Sequence, residues 1–493
     1  MNKSTTLQDG GVGERALHLT IAKATTVFIS LISGMLLSRF RTVEEYGTYS
    51  QLLIVVTLMT SLLMMGLPNS INYFLARADE GKERKEFLSI YYTLNTVLCV
   101  VIGAVLIIAI PWIERYFENE GIRKFWYFLA FYPWARITIS GVSNVLVVYG
   151  KTKRLMVINI LTALVALVSV IVIQFSGLSF REYILTYLGG HLVLSCWIYV
   201  MIYRLEGGLS CSLKIGMVKK IFAYSIPIGL ASLVGTVSIE MDKLMIGKFM
   251  DTEALAYYTN AGRELPLTFV AASLTAVLLP QMARKLKENK VSEAVGLWGT
   301  SIELSYIIIC FCSTACIVFA PQIMTLLYSE KYLAGVGVFR VYALVLLLRT
   351  TYFGLMLNSI GKTRLIFWAS VLSLGLNGAL NYLLFRLMGF VGPAVASLTS
   401  VLFVNLLQLG ITAKLIRVPF RHIFPWKALG AVTAVNVCWG IFMMGIICVL
   451  KITTDWNSIV LAIGMGFVIT IGYAVTFRKR LTHLWNMLNA VNG

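Results

Sequence analysis

Charge is what this sequence has least of. Of its 493 residues only 13% are Asp, Glu, Lys or Arg, against about 25% in an ordinary soluble domain. With 58% hydrophobic residues, that scarcity excludes a soluble enzyme, a disordered chain and a freely diffusing nucleic-acid binder. Histidine is scarcer still, with four in all, and His18 and His191 are too isolated to form a proton relay. No polar stretch is long enough for a domain outside the membrane, so any chemistry must happen within the bilayer or at its edge. Cysteine provides no framework. Most of the eight lie in apolar runs, and Cys310, Cys312 and Cys316, clustered on one expected helix, read as small hydrophobes, not metal ligands. The apolar runs are long, unlike the alternating segments of about ten residues in a membrane β-barrel. What remains is an all-α, polytopic membrane protein.

A span needs about 20 apolar residues. Fourteen are expected, at 17–38, 47–67, 88–111, 126–149, 155–175, 183–203, 221–246, 254–279, 299–320, 335–357, 365–386, 390–415, 428–450 and 458–477. The polar start, Lys23 inside the first run and the absence of a small-residue cleavage site before Arg39 and Arg41 argue for a retained first helix, not a signal peptide. An even count puts both termini on one side. Loops on that side, including Arg77-Lys82-Arg84-Lys85 and Lys151-Lys153-Arg154, hold about twice the Lys and Arg of the opposite loops, so both termini are expected in the cytoplasm. Acidic residues split almost evenly. Most of the formal net charge of +19 is therefore topology and does not mark an acidic or nucleic-acid ligand.

The second half echoes the first. "SRFRTVEEYGTYS" after span 1 is matched by "GKFMDTEALAYYT" after span 7, pairing Phe40 with Phe249, Glu44 with Glu253 and Tyr49 with Tyr258. "YGKTKRL" between spans 4 and 5 is matched by "IGKTRL" between spans 10 and 11. Six spans separate the partners, so they run in the same direction. This is a parallel repeat, an arrangement that places a transporter's substrate site at the repeat interface. The expected organisation is an N-lobe at 1–205 (spans 1–6), a C-lobe at 206–416 (spans 7–12) and a C-terminal helix pair at 417–493. The "GKT" triplets are not phosphate loops, because Val145 and Met356 stand where a Walker glycine is needed. No nucleotide site, metal cluster or nucleophile–base pairing is visible, so neither enzyme chemistry nor a cofactor is expected.

Twin six-helix lobes with two added helices resemble the MOP flippase superfamily (a MATE-like fold), and in particular its polysaccharide-transport branch and the Wzx-type O-antigen flippases. The stretches carrying the resemblance are "GLPNSINYFLARADEGKERKE" (66–86), "FAYSIPIGLASLVGTVSIEMDKLMIGKFM" (222–250), "NSIGKTRLIFWASVLSLGLNGALNYLLF" (358–385) and "GFVGPAVASLTS" (389–400). The resemblance implies a flippase of the bacterial inner membrane that moves polyprenyl-diphosphate-linked oligosaccharide units for O-antigen, capsule or exopolysaccharide. It also implies a polysaccharide polymerase and a chain-length regulator as partners.

Ionisable groups inside a bilayer cost roughly 2.5–3.5 kcal/mol or more, so each is a functional candidate. Four cations lie within spans: Lys23, Arg136, Arg263 and Arg349. They are the candidates for a cationic path for the diphosphate, because guanidinium binds phosphate oxygens in a bidentate way and stays charged. Glu240, Asp242 and Glu264 are the candidates for coupling to H⁺ or Na⁺, with pairing of Glu240 or Asp242 to Arg263 as the alternative. Glu303 is expected at the interface. Asn358, Asn377 and Asn381 are read first as makers of interhelical bonds, and Pro133, Pro227 and Pro266 as kinks or hinges. Rival readings are a peptidoglycan-precursor flippase, a multidrug or cation antiporter of the same superfamily, and a membrane polysaccharide polymerase or ligase. An antiporter would be expected to place acid in the first lobe, where Lys23 and Arg136 stand instead. A polymerase would usually carry a large outward loop.

Overall fold

The computed structural model describes residues 12–79, 81–263 and 266–490, some of them, including Lys23, by their backbone alone. Among the described residues there is no strand. The helices are α1 (Val12–Phe40), α2 (Val43–Met64), α3 (Ser70–Phe74), α4 (Lys82–Phe117), α5 (Trp126–Val148), α6 (Thr152–Phe175) and α7 (Phe180–Leu205). They continue with α8 (Ile215–Phe249), α9 (Thr252–Ala261), α10 (Phe269–Lys287), α11 (Val291–Val318), α12 (Ala320–Tyr328) and α13 (Val336–Leu347). The last are α14 (Leu355–Ser359), α15 (Thr363–Met388), α16 (Gly392–Ile416), α17 (Phe420–Ile423), α18 (Trp426–Val449) and α19 (Trp456–Ala490). Described helices fall within all fourteen expected spans. The architecture is an all-α, multi-pass membrane fold.

Two compact units make up the chain: residues 1–240 with 247–256, and residues 241–246 with 257–493. In the first, α1 lies along α6, α4 along α5, and α5 along α7. A wall of buried aromatic rings joins α2, α5 and α7. The Tyr49 ring centroid is 5.9 Å from those of both Tyr183 and Tyr187, and the Tyr132 and Tyr187 hydroxyls meet at 3.0 Å. His191 belongs to this wall, its Nδ1 bonded to the Tyr187 carbonyl at 2.8 Å. In the second unit, α15 lies along α16, and α11 packs on α13, α18 and α19. The C-terminal pair is tied to α11 through Tyr473, whose hydroxyl donates to the Ile307 carbonyl at 2.9 Å. The Glu303 carboxylate pairs with Arg480 of α19 while largely buried.

The repeated sequence landmarks turn out to be helix starts and stops. Thr42 caps α2, its hydroxyl accepting from Glu45 N at 3.1 Å in a capping box. Asp251, its counterpart in the repeat, accepts from Ala254 N at 2.7 Å at the start of α9. Each removes an orphan donor from a helix N-terminus. The two "GKT" sites are matched helix terminators. Gly150 and Gly361 have φ of +66° and +74°, and the Lys151 and Lys362 amides each reach back 2.8 Å, to the Leu146 and Leu357 carbonyls. This is the left-handed glycine stop. Partial burial and the neighbouring Arg154 hold the Lys151 ammonium below the usual lysine range.

Two expected spans are not continuous helices, and this corrects the sequence reading. Span 254–279 leaves helix at Gly262 and Arg263 and is helical again from Pro266, a residue with no amide to donate. Span 335–357 breaks after Leu347 and resumes at Leu355. Neighbours satisfy the carbonyls at this second break, with Asn405 Nδ2 donating to Leu348 O at 2.8 Å and Ser313 Oγ to Ala343 O at 2.7 Å. Broken helices survive at membrane depth only with such compensation. Pro133 and Pro227, by contrast, lie inside the unbroken helices α5 and α8.

Candidate functional site

In the first unit, α2 stops where Met65 and Gly66 take left-handed conformations, φ +44° and +72°. The chain passes a short turn at Leu67–Asn69 and re-enters helix as α3. Gly66 lies directly on Gly229 of α8, so closely that a Cβ at Gly229 would fall 2.1 Å from the Met65 carbonyl carbon. Beside this turn, α2, α5 and α8 enclose a cavity of about 510 Å³. Thr57, Ser61, Ser140, Ser143, Ser232 and Thr236 put hydroxyls on its wall, with Asn69, Asn144 and one cation, Arg136. Among the described residues none of the lining is acidic. Arg136 Nη1 donates to Thr57 Oγ1 at 2.6 Å. Asn144 Nδ2 holds the Pro68 carbonyl at 2.8 Å, and the Ser61 hydroxyl donates to Thr236 Oγ1 at 3.1 Å. One fixed guanidinium among many hydroxyls is a surface suited to an anionic group joined to a polyhydroxylated one.

In the second unit, the two helix breaks bring two predicted cations together. Arg263 follows α9, Arg349 follows α13, and both line one small cavity of about 20 Å³ with Tyr342. That volume holds about one water, so the two arginines border a compact space beside unwound backbone.

Asp242 lies in the same unit and is 1% exposed. Its Oδ2 accepts from the Tyr258 hydroxyl at 3.0 Å, from Tyr342, and from Ser397 Oγ at 3.5 Å. The network continues into α15, where Asn377 Nδ2 donates to Ser397 Oγ at 3.3 Å and Asn381 Nδ2 to Asn377 Oδ1 at 3.0 Å. Asn381 Oδ1, fully buried, has no hydrogen-bond partner among the described residues. The bonds run as a chain from the Asp242 carboxylate through the Ser397 hydroxyl to the amides of Asn377 and Asn381. Among the described residues no His/Cys/Asp/Glu cluster suits a transition metal.

Arg136, Arg263 and Arg349 thus line cavities, and Asp242 is central to a buried network. Glu240 lies on α8 in the first unit. Lys23 lies on α1, but its side chain, like the whole of Glu264, is outside the described residues. The sequence reading missed the hydroxyl wall and the tyrosines around Asp242. The only signal was the crowding of Ser and Thr at 57–61, 140–143 and 232–236.

Comparison with known proteins places these features. A family model described as polysaccharide biosynthesis protein matches residues 36–337. A probable low-salt glycan biosynthesis flippase of Haloferax volcanii is 23% identical over 272 residues, 51% of this chain and 58% of the relative. The match therefore spans little more than half of that relative's length. Among solved structures, lipid II flippase MurJ in an inward closed conformation aligns over 94% of this chain and 99% of its own, at TM-score 0.74 and 13% identity. An inward-facing multidrug resistance MATE family transporter of the MOP superfamily aligns over 80% of this chain and 96% of its own, at TM-score 0.63 and 17% identity. These likenesses establish a MurJ- and MATE-like fold. With a family model covering more than half of its length, the chain belongs to the polysaccharide biosynthesis protein family.

Proposed function

We propose that the protein is a flippase carrying polyprenyl-diphosphate-linked oligosaccharide units across the bacterial inner membrane, by alternating access, for surface polysaccharide synthesis. The observation that carries this reading is the 510 Å³ cavity of the first unit, hydroxyl-lined, with Arg136 as its cation and no acid among its described lining. Sugar hydroxyls exchange their water for the Ser and Thr hydroxyls, and Arg136 meets phosphate oxygens. Arg263, Arg349 and Lys23 supply further positive charge to an anion that must cross a low-dielectric core. The polyprenyl tail stays in lipid. In this reading the lobes at 1–205 and 206–416 are the moving parts, the pair at 417–493 is appended, and both termini are cytoplasmic. No step makes or breaks a covalent bond. A polysaccharide polymerase and a chain-length regulator act downstream on the exported unit.

Coupling falls to Asp242, whose oxygen-rich surroundings suit Na⁺ or H⁺, with Glu240 and Glu264 as the other candidates. An ion there would neutralise a buried carboxylate and tighten its network. A multidrug antiporter is the weaker reading, because cationic cargo would find Arg136 and no carboxylate among the described lining of that cavity.

The test is made on cells lacking the protein. Polyprenyl-diphosphate saccharides are extracted and probed with an impermeant sugar-modifying reagent. Accumulation of complete units shielded on the cytoplasmic side is the expected result, and the saccharide names the cargo, a peptidoglycan precursor included. Single units already accessible outside would overturn the reading in favour of a polymerase or ligase.

A further inference from the structure

The second unit has two kinds of basic stretch. Between α10 and α11 the cations are matched. Arg284 Nε lies 3.0 Å from Glu288, Lys285 Nζ 2.7 Å from Glu293 and Lys290 Nζ 2.9 Å from Glu288. Further along the chain the acids stop. Asp455 is the one acidic residue from Lys331 to Gly493, and it stands at the start of α19, where its Oδ2 accepts from Ser458 N at 3.2 Å. Towards the other end of that helix, and where α16 passes through α17 into α18, stand Lys414, Arg417, Arg421, Lys427, Arg478 and Lys479, all exposed. Among the described residues the one cation from 414 to 483 with a carboxylate partner is Arg480, on Glu303.

The six share one end of the unit. Helices α18 and α19 run antiparallel, with Asn436 Nδ2 donating to the Tyr473 hydroxyl at 2.9 Å and Gly472 against the Trp439 ring. That register brings Lys427 level with His483, about one turn beyond Lys479. Helix α17 is fastened by its buried face. Ile423 is fully buried, and the Phe424 ring lies 5.5 Å from that of Phe353 and 6.1 Å from that of Trp298. On either side of it Phe420 and Trp426 are 41% and 37% exposed, their rings 5.6 Å apart.

We propose that this face binds the head groups of anionic phospholipids in the cytoplasmic leaflet, with Phe420 and Trp426 at the hydrocarbon boundary and the six cations over the phosphates. The proposal rests on the membrane fold and on the expected cytoplasmic side of the termini, not on the flippase reading. Insertion topology alone does not require such a face. The rule that keeps Lys and Arg in the cytoplasm counts cations and is nearly blind to acids, and the stretch at 284–293 keeps both. Removing the acids as well leaves a positive field, which a plane of phosphates feels over its whole width. Guanidinium takes phosphate oxygens in pairs, and each Lys or Arg beside an anionic leaflet strengthens binding about fivefold. The aromatic pair points to lipid over a soluble partner, because Trp settles at head-group level. Helix length agrees. Arg478 stands about 33 Å along α19 from Trp456, and the hydrocarbon core is about 30 Å thick. Arg478 and Lys479 therefore fall where the helix leaves the core.

The test uses the full chain in phosphatidylcholine nanodiscs containing a trace of photoactivatable phosphatidylglycerol, with labelled peptides mapped by mass spectrometry. Labelling at 414–427 and 476–484 should exceed that at 284–293 by about fivefold or more. Unlabelled phosphatidylglycerol should compete, and soluble glycerophosphoglycerol should not. Arg417→Gln with Arg421→Gln and Lys427→Gln should cut the labelling there at least about fivefold. These cations also guide insertion, so thermal unfolding checks that the triple variant is folded. If it is not, Glu288→Gln with Glu293→Gln carries the test. Those exposed substitutions free Arg284, Lys285 and Lys290 and should raise labelling at 284–293 about fivefold. Labelling of every cytoplasmic loop in proportion to its Lys and Arg content, or no rise in the glutamate variant, overturns the proposal. Equal competition by glycerophosphoglycerol overturns it in favour of a free phosphate ester. Unchanged labelling in a folded triple variant overturns it as well, and in favour of an acidic protein partner if saccharide export is lost. The probe lipid has no saccharide, so the flippase reading can fail in cells lacking the protein while this result stands.

Discussion

The two units handle buried charge in opposite ways. The first surrounds one guanidinium with hydroxyls in a cavity of about 510 Å³, with Arg136 on the continuous helix α5. The second places two guanidiniums on broken helices around about 20 Å³ and locks a carboxylate between tyrosine hydroxyls. The roomy site accommodates a large, variable, hydrated group, because water and hydroxyls interchange at little cost. The tight one accommodates only something small and of defined shape, because each of its polar groups depends on a fixed partner. In the proposed reading, the roomy site holds the cargo and the tight one senses a small ion.

That contrast can be broken most directly at Asp242. Replacement by Asn keeps the shape but removes the charge that Tyr258 and Tyr342 bond. We expect transport of lipid-linked saccharide into proteoliposomes to fall about 10- to 100-fold, the range for hydrogen bonds to charged groups. Dependence on a Na⁺ or H⁺ gradient should disappear with it. If gradient dependence persists, the second unit is not the ion sensor. The next largest effect should come from paired lysine substitutions. Arg349→Lys should cost about tenfold in transport and Arg136→Lys only about threefold, since a point charge replaces a planar fork more readily in a wet cavity than in a tight one. Equal losses would erase the distinction. Gly150→Ala and Gly361→Ala should each destabilise by about 1–2 kcal/mol in thermal unfolding, the cost of a left-handed conformation with a Cβ. A large inequality would show that the two stops are not equivalent. Smallest of all, Glu303→Gln should cost under about 1 kcal/mol, because Arg480 is partly solvated. A larger loss would mean that the C-terminal pair is held by charge and not by packing around Tyr473.

The spans were legible because apolar runs of this length have few other uses, and the repeat because it falls on residues that start and stop helices. Thr42, Asp251, Gly150 and Gly361 recur for reasons local to a few neighbours, and local reasons show in sequence. The breaks did not show. Hydropathy registers composition, whereas the break after Leu347 depends on Asn405, 57 residues further along the chain from the carbonyl that it holds. Pro266 was visible but read as a kink. Arg136, Arg263 and Arg349 stood out by cost alone. Their settings did not, because a serine or threonine in an apolar run can line a cavity, bond back to its own helix or, like Thr57, do both. Tyr258 and Tyr342 were hidden similarly, since a membrane helix has tyrosines for many reasons.

The contact between Gly66 and Gly229 has a mechanical consequence. Backbone rests on backbone there, with no side chain from one helix seated between those of the other. Interlocked helices can move past each other only by jumping from one set of rotamers to the next. A bare glycine contact has no such teeth, so motion along it would be graded, as on a bearing surface. Any side chain added at either position would work as a brake.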